Sequence, residues 1–355
     1  MEGSAIMNEQ QAKVPTVESF IKGLPWVIAI LVFSFGSWLI WEPFFKMFMD
    51  PAWAQYAALG MGPQGALVVT LLALAGNWPL QNVQSKWAQG IGLTLLAIAI
   101  TVVKWLLLGS VFKVDLVTWA FPIIATSWFF IAVTSFVGGD AHMPDTPPVR
   151  RMFLNLLIMA GGTILILRTI YWIPPFWFGL VEASLVSGGF AYLFRRVKQP
   201  TFSALSWSAL ALMTFILIGV AVKLGFWTVD PGAKDAWGWN IGVLSGEFGV
   251  FFALTGGFNF SVNSINQCWP FSTIRQPWGY FALLLVTFAW CILLAWGIIN
   301  LLRTMVPADA VLWQSTILAW QTVVWGWAWV FFFGAGQAPY LWAGQKTPGA
   351  WDDVD

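Results

Sequence analysis

Glu247, Asn259 and Asn263 are the residues whose types and spacing best suit chemistry inside this apolar chain. They belong to one stretch, entered through Leu244-Ser245-Gly246-Glu247-Phe248-Gly249 and interrupted by Thr255-Gly256-Gly257-Phe258-Asn259. A carboxylate there can bind a coupling proton or neutralise a cationic group, and the carboxamides can orient a solute. The glycine pair permits a break in a helix, freeing carbonyls that cannot face lipid and so must face a cavity or protein. Trp320, from the last apolar run, is expected to close one wall of such a cavity. The rival reading of the glycines is close packing between helices through small residues.

Charges within apolar runs are few. Arg168 and Glu182 each lie seven residues from Pro175, which puts both about 10 Å below one surface at about 1.5 Å per residue. An unpaired charge at that depth is costly, so an Arg168–Glu182 ion pair is expected. Lys104 stands at a depth similar to Glu247, and an asymmetric Lys104–Glu247 pair is a candidate for coupling-ion or substrate chemistry. Snorkelling to the surface is the plainer role for Lys104. Trp313, Trp320, Trp325, Trp327 and Trp329 crowd a single run. They could line a cavity for an apolar or cationic solute, face lipid, or pack against a partner protein.

Other chemistries are excluded by what is missing. His142 is the only histidine, so a bis-histidine haem or a multi-histidine metal site cannot form within the chain. Cys268 and Cys291 make no CxxC, and there is no HxxxH, DxxD or nucleophile elbow. No cofactor, no metal and no enzymatic activity are expected. A net charge of +1 without a basic stripe gives no nucleic-acid footprint.

The elements that position these residues follow from composition. Hydrophobic residues are 59% of the chain and charged residues 9%, whereas a soluble domain has about a quarter of its residues charged. Taking about 20 apolar residues per crossing, ten spans are expected: 24–41, 57–76, 90–111, 116–138, 152–172, 176–194, 203–226, 240–262, 279–302 and 311–334. The polar N-terminal segment lacks the short apolar core of a cleavable signal, so the first span is expected to be retained. Ten Lys and Arg lie in loops on the N-terminal side against six on the other. Both termini are therefore expected in the cytoplasm of a cell (inner) membrane.

A repeated motif organises the spans. Trp78-Pro79-Leu80, Val83 and Trp87 recur with the same spacing as Trp269-Pro270-Phe271, Ile274 and Trp278. With 26 Trp and 19 Pro in 355 residues, a chance second occurrence is rare. The i, i+3, i+7 spacing of the apolar residues predicts a short amphipathic helix in the interface, with the prolines in its first turn. The copies stand six spans apart, hence the same way up, which predicts a parallel repeat. The fold expected is an all-α integral membrane protein of two parallel four-helix repeats plus an inserted helical hairpin. Its divisions are a segment 1–23, repeat 1 at 24–138, the hairpin at 139–200, repeat 2 at 201–334 and a tail 335–355. The function expected is a secondary permease for a small organic solute, its site between the halves.

The alternative is a cofactor-free integral subunit of a larger, quinone-linked complex. In layout alone, two parallel four-helix bundles resemble the quinone-binding membrane subunits of polysulfide-reductase-type complexes. That resemblance implies a membrane-protein partner.

Overall fold

The computed structural model describes residues 17–48, 51–113, 123, 127, 146–169, 250–251, 253–266, 268–274 and 278–335. The expected spans 116–138, 176–194 and 203–226 lie outside the described residues, almost wholly for the first. So do Glu182 and Glu247.

Among the described residues there are helices and turns and no strand. The helices are α1 (Val17–Phe48), α2 (Pro51–Leu74), α3 (Lys86–Leu106), α4 (Pro148–Thr169), α5 (Asn259–Ile265), α6 (Trp278–Arg303) and α7 (Val311–Phe331). Wider π-helical turns extend α3 at Leu107–Val111 and precede α5 at Ala253–Phe258. Three segments are long and apolar enough to cross a membrane: Phe20–Trp41, Lys86–Val111 and Phe281–Arg303. These bear out the all-helical, membrane-spanning class.

The helices sort into inner and outer. α7 packs most extensively on α2, and next on α1 and the π-helical entry to α5. Residues 64–74 of α2 and nearly all described residues of 250–266 are buried, as is most of α7. The outer helices expose apolar side chains, such as Val32 and Ile40 on α1, Leu95 and Val103 on α3, Leu157 on α4, and Leu285 and Leu293 on α6. A helix apolar all round belongs in a core or in lipid, and this arrangement uses both.

Glycine sets how closely the inner helices approach. A methyl on Gly62 would meet Trp320 Cβ at 2.8 Å, and one on Gly65 would meet Val324 at 3.4 Å. Gly257 lies directly against Val323, and Gly326 against Ser261. The small-residue packing reading of the glycines is the one these contacts carry. The pairings also give direction. Residue numbers rise together in 62/320 and 65/324, and in 257/323 and 261/326. α2, α5 and α7 therefore run parallel, while α1 runs against them, Trp26 meeting Trp329 and Trp38 meeting Gln314.

Both Trp-Pro segments lie at one end of this bundle. Phe20 of α1 packs on Trp269 at 5.8 Å, and Trp26 stacks on Trp87 at 6.2 Å. Pro148, which opens α4, lies beside Gly76 at the same end. We call this end the turn face.

The motif itself is a turn and not an amphipathic helix. Asn77 at φ 65° and Cys268 at φ 55° take left-handed backbone, which a right-handed helix cannot pass through. Asn77 N–H donates to Leu72 O and Cys268 N–H to Asn263 O, both at 2.9 Å, so each turn ties back five residues and closes its helix. Val83 N–H to Leu80 O and Ile274 N–H to Phe271 O match at equivalent positions, and both Trp-Pro peptides are cis. Among the described residues ahead of the following helices, one turn of 3-10 helix at Phe271–Thr273 is all the helix the motif contains. The i+7 tryptophans instead open the next helices: Trp87 is in the first turn of α3 and Trp278 begins α6. Both are more than half exposed.

Candidate functional site

A cavity of about 90 Å3 lies between α1, α2, α3 and α7. Its walls include Ser37 and Trp41 of α1, Gly62 and Gly65 of α2, Thr94 and Thr101 of α3, and Gln321 and Trp325 of α7. Thr94 and Thr101 stand about 12 and 22 Å along α3 from Lys86, at about 1.5 Å per residue. That range spans the middle of a hydrocarbon layer about 30 Å thick.

The cavity exists because Gly62 and Gly65 present no side chain to it, although Trp320 and Val324 hold the helices together beside them. Its polar chemistry is a chain of three groups. Trp325 Nε1–H donates to Ser37 Oγ at 2.9 Å, and Ser37 Oγ lies 3.1 Å from Gln321 Oε1. The same hydroxyl also reaches Ser34 O at 3.0 Å. One proton therefore faces two acceptors and takes one at a time. Thr94 and Thr101 donate to the carbonyls of Gly90 and Ala97, four residues back, and so direct their hydroxyl protons along α3. Among the described residues, no ionisable side chain lines the cavity.

Between the cavity and the turn face stands a column of aromatic rings. Phe33 touches Trp325 and Trp329, each at 5.3 Å. Trp329 continues to Trp26 at 5.4 Å and Phe333 at 4.5 Å, and Trp87 caps the column against Phe333 at 5.4 Å. Gly90 makes room for Phe333, since a methyl there would lie 2.7 Å from its ring. Trp329 Nε1 is buried in this column without a hydrogen-bond partner among the described residues.

The residues singled out from the sequence divide three ways. Asn259 is buried and its carboxamide is occupied: Nδ2–H donates to Thr287 Oγ1 at 2.6 Å, and Oδ1 accepts from Trp290 Nε1–H at 3.0 Å. It clasps α5 to α6. Asn263 is also buried, its Nδ2–H given to Asn259 O at 2.9 Å, while Trp320 lies in the α2–α7 contact against Gly62. None of the three lines the cavity. The break expected at the glycine pair takes the form of the π-helical turn Ala253–Phe258, and its Gly257 carbonyl accepts from Trp327 Nε1–H at 3.0 Å. Lys104 is half-buried in the last turn of α3, beyond the cavity wall, with no ion-pair partner among the described residues. Its expected partner Glu247 lies outside them. Arg168 falls in the last turn of α4, and its partner Glu182 lies outside the described residues.

Ser37 and Gln321 were not anticipated, although a signal for them exists. Gln314 and Gln321 are seven residues apart in an apolar run, hence on one helix face, and both reach α1, where Trp38 Nε1–H donates to Gln314 Oε1 at 2.7 Å. Cys268 is buried in the second Trp-Pro turn, and burial pushes its thiol well above the ordinary value. No group of three or more potential metal ligands occurs among the described residues. No protein-family model, curated protein or solved structure matches this chain.

Proposed function

We propose that this protein is a multi-pass membrane permease for a small organic solute, with its site in the cavity between α1–α3 and α7. The observation that carries the reading is a mid-depth cavity with a hydrogen-bonding chain, closed on one side by stacked rings that need only separate to open it. The aromatic column stands on the turn side, where α1, α3 and α7 converge. Closing it leaves the Trp329 indole N–H desolvated and unpaired, which costs about 1–3 kcal/mol. That cost lowers the barrier to a second arrangement in which the indole meets water.

The ten-span, two-repeat architecture is part of the same proposal. Equivalent hydrogen bonds in the two Trp-Pro turns, and their common face, support a parallel repeat. α3 runs away from the turn face and α4 starts at it, so an odd number of crossings is needed between them, for which the apolar run 116–138 has the length. α4 ends and the entry to α5 begins at the opposite face, so an even number is needed there, for which we take the apolar runs 176–194 and 203–226. Lys22, Lys86, Arg150 and Arg151 cluster at the turn end, which the positive-inside rule assigns to the cytoplasm of a cell membrane.

The test is to lock the column. Cysteines in place of Trp26 and Trp329, joined by a short thiol cross-linker in proteoliposomes, should halt solute uptake, and cleavage of the linker should restore it. Uptake that continues through the cross-linked protein refutes the gate. A protein inert in liposomes that co-purifies with a second membrane polypeptide supports the complex-subunit reading instead.

A further inference from the structure

The cavity's size and its want of charge narrow what it can hold. Resting on the permease reading above, we propose that the solute is an uncharged molecule of about four non-hydrogen atoms carrying both a hydrogen-bond donor and an acceptor. Short primary amides and alcohols are the class, and Gln321 is the residue that recognises them.

Size comes first. An apolar protein cavity of about 150 Å3 takes benzene, with six carbons. A cavity of about 90 Å3 therefore takes about four heavy atoms at the same packing. Charge comes second. Desolvating an ion costs far more than desolvating a neutral polar group unless a countercharge is present. Within the described membrane-crossing segments the acid-base side chains near this depth reduce to Lys104, which is not in the cavity wall. A cation could instead seek tryptophan faces. Trp325 has Phe33 packed against it and turns its N–H to Ser37. Trp41 is the remaining tryptophan of the wall, and the tetramethylammonium probe below tests it.

Recognition comes third. Gln321 Oε1 is held by Ser37 only while the hydroxyl proton points that way. If the proton swings to Ser34 O, Oε1 is free to accept from a solute N–H or O–H. Among the described residues the amide Nε2 of Gln321 has no partner, and it can donate to a solute oxygen. A single carboxamide thus offers an acceptor and a donor side by side, the complement of a primary amide and equally able to bracket a hydroxyl. Trp325 holds Ser37 in register throughout, because its N–H bonds to the hydroxyl oxygen whichever way the proton points.

The full-length protein in detergent is examined by saturation-transfer NMR against acetamide and ethanol, with acetate and tetramethylammonium as charged probes of similar size. Acetamide and ethanol should give signals that fall about fivefold or more in Gln321→Leu, as expected for lost hydrogen bonds. They should persist in Asn300→Ala, a residue of α6 outside the cavity, and a circular-dichroism spectrum of Gln321→Leu that matches the parent's controls for folding. In proteoliposomes, acetamide entry followed by stopped-flow light scattering should exceed that of empty vesicles and lose the excess in Gln321→Leu. Binding without enhanced entry upholds the recognition chemistry and sinks the permease reading. Binding and entry of a charged probe in place of the neutral ones keeps the permease reading and overturns the solute class. Neutral solutes that bind equally well to Gln321→Leu overturn the role of Gln321, and an absence of all binding overturns the proposal.

Discussion

Replacing Asn259 with alanine removes both side-chain bonds that tie α5 to α6. The consequences differ for the two partners left behind. Thr287 can turn its hydroxyl to the carbonyl four residues back on its own helix, at little cost. Trp290 has no such retreat, and its Nε1–H, 3.0 Å from Asn259 Oδ1 in the folded protein, loses its acceptor. Interhelical hydrogen bonds in membranes contribute about 0.6 kcal/mol on average and about 1.7 at most. Two of them together, with most of the loss at Trp290, give an expected destabilisation of about 1–3 kcal/mol. Unfolding in mixed micelles with increasing denaturing detergent, followed by circular dichroism, reads this directly. Trp290→Phe closes a double-mutant cycle with a coupling of about 1 kcal/mol. Solute entry per folded molecule should be unchanged, because Asn259 is outside the cavity. A variant with wild-type stability that has lost solute entry would refute the clasp and return Asn259 to a solute-binding role.

Three further outcomes follow from the packing. Gln64 is fully buried with neither amide atom partnered among the described residues, so Gln64→Met should leave unfolding stability unchanged or raise it, by up to about 2 kcal/mol; a loss of that size would show a further partner. Gly326→Leu must displace Ser261 and force α5 from α7, and should cost about 3 kcal/mol or more in the same unfolding assay; a neutral effect would deny the close approach. Cys268 should resist maleimide at neutral pH until denaturing detergent is added, since burial raises its thiol value and keeps the thiolate scarce. By the same sign, its contribution to stability is present below the ordinary thiol value and lost as pH rises past it. Rapid labelling of the folded protein would contradict the burial.

What the sequence reveals depends on which physical property each feature expresses. α3 and α6 are legible because length and apolarity are all that a lipid-facing crossing requires. The common face of the two Trp-Pro segments is legible from the expected parity, six spans from one copy to the next. The motif's conformation is not. Apolar residues at i, i+3 and i+7 read as one helix face, but Asn77 and Cys268 adopt left-handed backbone, and that spacing serves equally to place Trp87 and Trp278 in the following helices. Asn259 illustrates a deeper ambiguity. A carboxamide in an apolar run must find a partner, and sequence does not say whether that partner is a solute or, as here, Thr287 and Trp290. The glycines hide the same choice between a break and a close contact, and at Gly62 the answer is both: contact with Trp320 and an open wall beside it.

The parallel course of α2, α5 and α7 has a consequence for biosynthesis. Helices that run the same way cannot be joined by a short hairpin, so no two of them are adjacent in the chain, and the inner group is completed only when α7, the last described helix, takes its place beside α2. Until then Trp38 has no Gln314 to receive its indole proton and Ser37 no Trp325 or Gln321, partners that lie 276 to 288 residues downstream. The earlier helices must wait in lipid with these polar groups unmet by their final partners. A ribosome stalled before α7 would leave an inserted chain with neither cavity nor aromatic column. A chain truncated there should be prey for membrane quality-control proteases, however well its first helices insert.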